Sequence, residues 1–344
     1  MTATKNHAVE RASRRKFLSE VSALSALSLL GPGYAAAEPP PETKTIRLVK
    51  VRALCLAPQY VAEELLRLEG FSDVQYVTLN DYPGNIVYSG KADFTQDGVS
   101  TLLPAVDKGQ PVVALAGVHA GCYELIAHEH VRSIHDLKGK RVIHWDYGDP
   151  QYLMLASVLA YVGIDPRKDI QWVTAKAYTN AYEKMLDLFI EKKADAIMGF
   201  TPQPQLLRAR KIGHVILNTA TDRPWSEYFC CIIVGHRDFV ARYPVATKRA
   251  IRAFLKAADV CARNPEQAAQ LLVAKGYEPD YELALSVLKE LPYNRWREAD
   301  PEDTMRFFAL RLREVGIVKS TPQQLLARGT NWGFFNELKR ELKT

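Results

Sequence analysis

Long apolar runs are missing from this chain. No stretch approaches the ~20 residues that a membrane-spanning helix needs, and the mildly apolar segment 21–30 is about half that length. Cysteine is scarce: five in 344 residues is an odd number and too few for a disulfide scaffold. No run of five or more like charges occurs, and 45 Lys+Arg against 39 Asp+Glu leave a net charge of only +6. A nucleic-acid-binding surface is therefore not indicated. Apolar residues, by contrast, are plentiful at 47%, with 10% aromatics, which excludes disorder for most of the chain and suffices for two domains with real cores.

The first 37 residues read as an address. Ser13-Arg14-Arg15-Lys16-Phe17-Leu18 precedes the short apolar segment, and small residues follow to Ala35-Ala36-Ala37. A basic start, a short apolar stretch and an A-x-A site make a secretory signal peptide. The adjacent Arg14 and Arg15 fit the twin-arginine export signal, so the export machinery is an expected partner and a periplasm the expected destination. Cleavage is expected after Ala37, and no cysteine follows that would carry a lipid anchor. Residues 38–44, rich in proline, read as an extended spacer.

The body alternates strand and helix. Strands are expected at 46–53, 74–79, 92–95 and 111–118, with helices at 58–68, 82–88 and 99–108 between them. That order implies a largely parallel sheet covered on both faces. The pattern restarts after 123–127, with strands at 141–145, 170–173, 194–198 and 215–217 and helices opened by Pro150, Ala181 and Pro202. Residues 231–234 form one more apolar strand, and from Pro244 the chain is mostly helical, with Ile251, Phe254, Leu255 and Ala258 on one face. Two such units suggest two lobes with a ligand cleft between them, lined by strand C-terminal ends.

Six segments in order carry a resemblance. They are Leu56 to Glu64, Gly90-Lys91-Ala92-Asp93-Phe94, Asp107 to Leu115, Ile134 to Val142, Lys193-Ala194-Asp195-Ala196-Ile197 and Gly316 to Pro322. Together they resemble the substrate-binding proteins of ABC importers, in the nitrate/sulfonate/taurine and thiamine-precursor-like group. The resemblance implies an α/β, two-lobed periplasmic-binding-protein fold of the second topological type with a mostly helical C-terminal tail. It implies lobe 1 from residues 45–121 plus 230–344 and lobe 2 from 122–229. It also implies a non-catalytic, monomeric binder: a small molecule in the cleft, handed to a membrane permease, with no cofactor and no nucleic acid.

In the sulfonate and taurine branch, the loop before the long second-lobe helix is Gly-Ser-Thr-like and holds an anion at the helix N-terminus. Here the same place reads Trp145-Asp146-Tyr147-Gly148-Asp149-Pro150. Asp149 can cap the helix and Pro150 removes a donor, which weighs against an anion. Aromatics crowd the expected cleft loops: Tyr82, Tyr123, Trp145, Tyr147, Tyr178, Phe200, Trp225 and Tyr228. Such rings suit a flat ligand or a cation, or else pack the core and hinge. Gln59, Gln96, Asp97, Ser100, His119 and Thr201 are polar groups at expected strand-to-helix turns and complete the candidate ligand set with Asp149. A sulfonate- or nitrate-type binder, an exported sensor subunit and an enzyme on the same fold stay open as alternatives. The yeast-type pyrimidine synthase on this fold carries a cysteine-rich motif where this chain has Met198-Gly199-Phe200-Thr201-Pro202, without cysteine.

His128-Glu129-His130 with His135 lacks the spacing of a helical metal motif and reads as a solvated edge. Cys230 and Cys231, adjacent on a strand, are expected to face opposite sides as ordinary buried thiols. Cys55 and Cys122 both lie near first-lobe strand ends, where a bridge is geometrically open. Cys261 fits the apolar face of its helix.

Overall fold

The computed structural model describes residues 38–51, 53–78, 83–175 and 181–343. The export signal with Arg14, Arg15 and Ala37, and the cleft candidates Tyr82 and Tyr178, lie outside the described residues.

The chain opens with β1 (Thr45–Val49), a 3-10 turn (Leu54–Leu56), α1 (Ala57–Leu68), β2 (Asp73–Val77), α2 (Pro83–Tyr88), β3 (Phe94–Gly98), α3 (Val99–Asp107) and β4 (Val112–Ala120). It then runs through β5 (Tyr123–Ala127), β6 (Arg141–His144), α4 (Pro150–Tyr161), β7 (Gln171–Thr174), α5 (Ala181–Ile190), β8 (Ala196–Phe200), α6 (Gln203–Ala209) and β9 (His214–Asn218). It returns through β10 (Phe229–His236) to a helical stretch: α7 (Arg237–Arg242), α8 (Pro244–Arg263), α9 (Pro265–Ala274), α10 (Tyr281–Glu290), α11 (Pro301–Glu314), α12 (Pro322–Gly329) and α13 (Gly333–Glu341).

Two five-stranded sheets result, ordered β2-β1-β3-β10-β4 and β7-β6-β8-β5-β9. The expectation of largely parallel sheets is corrected: β10 runs antiparallel to both β3 and β4, and β5 runs antiparallel to both β8 and β9. The reason is the double crossing. The first strand after each passage from one sheet to the other enters the new sheet against the direction of its neighbours. Parallel pairing survives where a helix connects the strands, as in β1 with β2 and β6 with β7.

Local chemistry explains the helices. Proline stands at the first turn of α1, α4, α8, α9, α11 and α12, where a missing N–H costs no internal bond. Asp149, Asp280, Asp300 and Thr321 cap α4, α10, α11 and α12. Helix α8 buries Ile251, Phe254, Leu255 and Ala258, the face that its 3.6-residue periodicity marks.

Each lobe carries the same kind of fastening. Arg47 at β1 forks onto Asp93, with Nη2 2.6 Å from Oδ1 and Nε 3.2 Å from Oδ2. Arg141 at β6 repeats this on Asp195, at 2.7 and 3.2 Å. Each pair ties the first parallel strand of a lobe to the start of its central one, in the bidentate geometry that only arginine offers.

Candidate functional site

Strand β3 ends deeper than its apolar residues suggest. All five of its residues are buried, including Gln96 and Asp97, and the strand runs three residues beyond the 92–95 expectation, to Gly98. That extension carries the polar residues to the mouth of the sheet. Asp97 Oδ1 accepts from the Gly98 N–H at 2.7 Å and from Thr101 Oγ1 at 2.8 Å, whereas Oδ2 has no partner among the described residues. Burial pushes the Asp97 carboxyl up to about 6, against the pull of the Thr101 and Gly98 donors. Ser100 Oγ and both amide atoms of the Gln96 side chain are likewise buried without partners. Buried polar atoms left open in this way are groups that await a donor or acceptor.

Asp97 looks into a cavity of about 160 Å³. Gly84, Tyr88, Thr101 and Lys108 line it from the first lobe, and Gly148, Pro150 and Leu153 from the second. A Cβ on Gly84 would lie 2.7 Å from Asp97 Oδ2 and 2.3 Å from the Tyr88 hydroxyl oxygen, so glycine lets the backbone come close to both. Burial, with the Asp97 charge adding to it, holds the Tyr88 phenol well above its ordinary range.

The second lobe contributes a chain of rings. Trp145 and Tyr182 lie 5.2 Å apart between centroids, Tyr182 and Phe200 5.5 Å, Phe200 and Tyr123 6.0 Å, each pair edge-to-face. Burial raises the Tyr182 phenol, and the carboxylates Asp149 and Asp97 both add to that. Its hydroxyl therefore feels one acid from each lobe. Tyr182 and Tyr88 escaped the sequence reading. Tyr182 opens the helix after β7, and the rule that ligands sit at strand-to-helix turns points to that place; Tyr178, four residues earlier in the sequence, stood in its stead.

The loop before α4 is closed on itself. Asp149 accepts from Trp145 N–H at 2.7 Å and Asp146 N–H at 3.0 Å on Oδ2, and from Tyr152 N–H at 2.6 Å on Oδ1. The donors that would hold an anion at this helix start are spent on a carboxylate of the chain itself.

The other candidates are scattered. Gln59 spends its amide on packing, donating to Val49 O at 2.6 Å and accepting from Gln96 N–H at 2.9 Å. His119 is buried in the first lobe with its ring nitrogens 3.0 Å from Ala120 O and 3.1 Å from Cys55 O. Trp225 and Tyr228 pack against α11 and the end of α4: Tyr228 stacks on Phe307 at 4.2 Å, and Trp225 meets Phe307 at 5.3 Å and Tyr161 at 5.4 Å. Tyr147 is 63% exposed, with its ring against His144 and Tyr152. Thr201 lines a different cavity of about 290 Å³ beside Cys122, Glu124 and Arg208. Of the candidates, Asp97 lines the cavity of about 160 Å³, Trp145, Phe200 and Tyr123 belong to the chain of rings through Tyr182, and Ser100 is buried in the first turn of α3.

The NMT1/THI5-like family model matches residues 69–268. The chain belongs to the NMT1/THI5-like family. Solved structures of low identity share its fold. The periplasmic nitrate-binding protein NrtA from Synechocystis PCC 6803 superimposes with a TM-score of 0.73 at 15% identity, covering 89% of this chain and 90% of that one. The alkanesulfonate-binding protein SsuA from Xanthomonas axonopodis pv. citri, bound to MOPS, gives 0.67 at 16%, covering 87% and 100%. The Candida albicans CA3427 gene product, described as having the generic periplasmic binding protein fold, gives 0.65 at 14%, covering 83% and 96%. No curated protein matches by sequence. The two-lobed fold and the family expected from the sequence are thus both found. Among the described residues no helix is long and apolar enough to cross a membrane.

Proposed function

We propose that this protein is the exported solute-binding component of an ABC importer, and that it captures a small, ring-bearing organic ligand carrying a positive or N–H-rich group. The ligand sits between the lobes and is handed to a membrane permease; the protein itself does no chemistry. The observation that carries this reading is Asp97 Oδ2, without a partner among the described residues and facing a cavity of about 160 Å³ that Tyr88 also lines, with the Tyr182 phenol close enough to feel the Asp97 charge. A cavity of about 150 Å³ elsewhere holds one benzene, so the size suits a single ring. An acid among aromatic faces suits a cation. Closure follows from contacts made with both lobes at once, because a ligand shifts an open–closed balance only by its differential affinity.

A thermal-shift screen of residues 38–344 tests the reading. The panel holds nitrate, alkyl sulfonates, thiamine and pyrimidine precursors, and aromatic acids and amines. A ligand at 100 times its dissociation constant adds about 2.7 kcal/mol, which raises the midpoint by several degrees. Shifts confined to nitrogen-bearing rings, abolished in Asp97→Ala, are expected. A shift with nitrate or sulfonates in their place overturns the ligand class.

A further inference from the structure

Three of the five cysteines meet at one point, and a fourth adjoins them. Cys55 lies in the 3-10 turn after β1, Cys122 between β4 and β5, and Cys230 and Cys231 at the start of β10. All four are buried. The sulfurs of Cys55, Cys122 and Cys231 lie within 4.8 Å of one another, and Cys230 Sγ is 2.7 Å from Cys122 Sγ. The expectation that Cys230 and Cys231 point to opposite faces is corrected here. The pairing of β10 with β4 slips on both sides of Cys231, and such a bulge turns consecutive side chains toward one neighbourhood. Cys261, on α8, is outside the group.

We propose that this cluster is a structural site for one thiophilic d10 cation, zinc first, held by the sulfurs of Cys55, Cys122, Cys230 and Cys231. Thiolate sulfur selects such metals over hard cations. Four protein ligands in a buried pocket leave no open position, which is the pattern of a structural rather than a catalytic centre. Metal–sulfur bonds of about 2.3 Å give tetrahedral edges of about 3.8 Å. Cys55, Cys122 and Cys231 stand near such spacings, and Cys230, outside that trio, turns in as the fourth ligand while its 2.7 Å separation from Cys122 opens by about 1 Å. Each thiol gives its proton to solvent as its bond to the metal forms. His119 adjoins the group but is not a ligand, because both of its ring nitrogens face carbonyl oxygens. A Cys122–Cys230 disulfide is the competing use of the two closest sulfurs. It leaves the convergence of Cys55 and Cys231 on the same point without a purpose. The site joins both passages between the sheets, since Cys122 lies on the outward one and Cys230 on the return.

The full chain, purified without chelator, is analysed for zinc and copper by mass spectrometry. Its thiols are then counted after unfolding with chelator and no reductant. About one metal per chain and five free thiols are expected. Cobalt(II) loaded into the wild-type chain gives a thiolate-to-cobalt charge-transfer band. Cys261→Ser retains the metal, and Cys55→Ser with Cys231→Ser loses it. Three free thiols without metal overturn the proposal in favour of the disulfide. Five free thiols without metal, no cobalt–thiolate band, or metal retained in the double variant also overturn it.

Discussion

Asp97 trades stability for reach. A carboxyl raised to about 6 in the folded chain, against about 3.9 when unfolded, binds its proton more tightly in the fold. Its contribution is therefore favourable below pH 4 and is lost as pH rises through 6. Asp97→Asn is expected to raise the unfolding midpoint at pH 7, with the gain vanishing toward pH 4, as urea titrations at the two pH values would read. The same variant should weaken the ligand at least tenfold, since a hydrogen bond to a charged group contributes about 1.5–3 kcal/mol. Burial pushes the Asp149 carboxyl up to about 6 as well, against the pull of the Tyr152, Asp146 and Trp145 N–H donors, but its oxygens hold the loop together. Asp149→Ala should cost about 1–2 kcal/mol in urea unfolding through loss of the cap and loop bonds.

Among the elements, the passage from β4 to β5 is the least tolerant. Gly121 has φ +46°, and a Cβ there would meet backbone atoms of Ala220 at 2.2 and 2.3 Å. Gly121→Ala is expected to cost more than about 2 kcal/mol in denaturant unfolding, since neither the backbone conformation nor the opposing backbone can yield cheaply. Most elements were legible in the sequence because proline and glycine mark their ends: α4 runs over the 150–161 span that Pro150 and Gly163 delimit. The ends of β3 and β8 were not, because polar or small residues there look like loop until the cleft is known. Antiparallel β5 and β10 were hidden for another reason. Direction is set by which sheet a strand joins, and that is a long-range fact. The same limit applies to the site. Asp97, which lines the cavity, follows from a strand-to-helix turn, whereas His119, Trp225 and Tyr228 meet that rule and yet are taken up in packing. Tyr88 and Tyr182 needed the geometry.

At the scale of the whole molecule, the lobes are joined by charge as well as by chain. Arg208 on α6 pairs with Glu124 in its own lobe and with Glu290 on α10, where Nη2 lies 2.6 Å from Oε2. Burial raises the Glu124 carboxyl and the Arg208 guanidinium opposes that. Arg208 is partly exposed, so Arg208→Ala should shift the closed–open balance by about 1 kcal/mol, roughly fivefold. Small-angle scattering of the ligand-free chain would then give a larger radius of gyration than wild type.

The place of β10 between β3 and β4 has a consequence in time. Every strand of the second sheet lies between Tyr123 and Asn218, so its sheet is complete in the growing chain before the first one is. The N-terminal strands must wait for Phe229–His236, several seconds at ~5–20 residues per second. During that interval β3 and β4 present bare edges, and synthesis order and completion order run opposite to one another. The half that is made first is the half that is finished last.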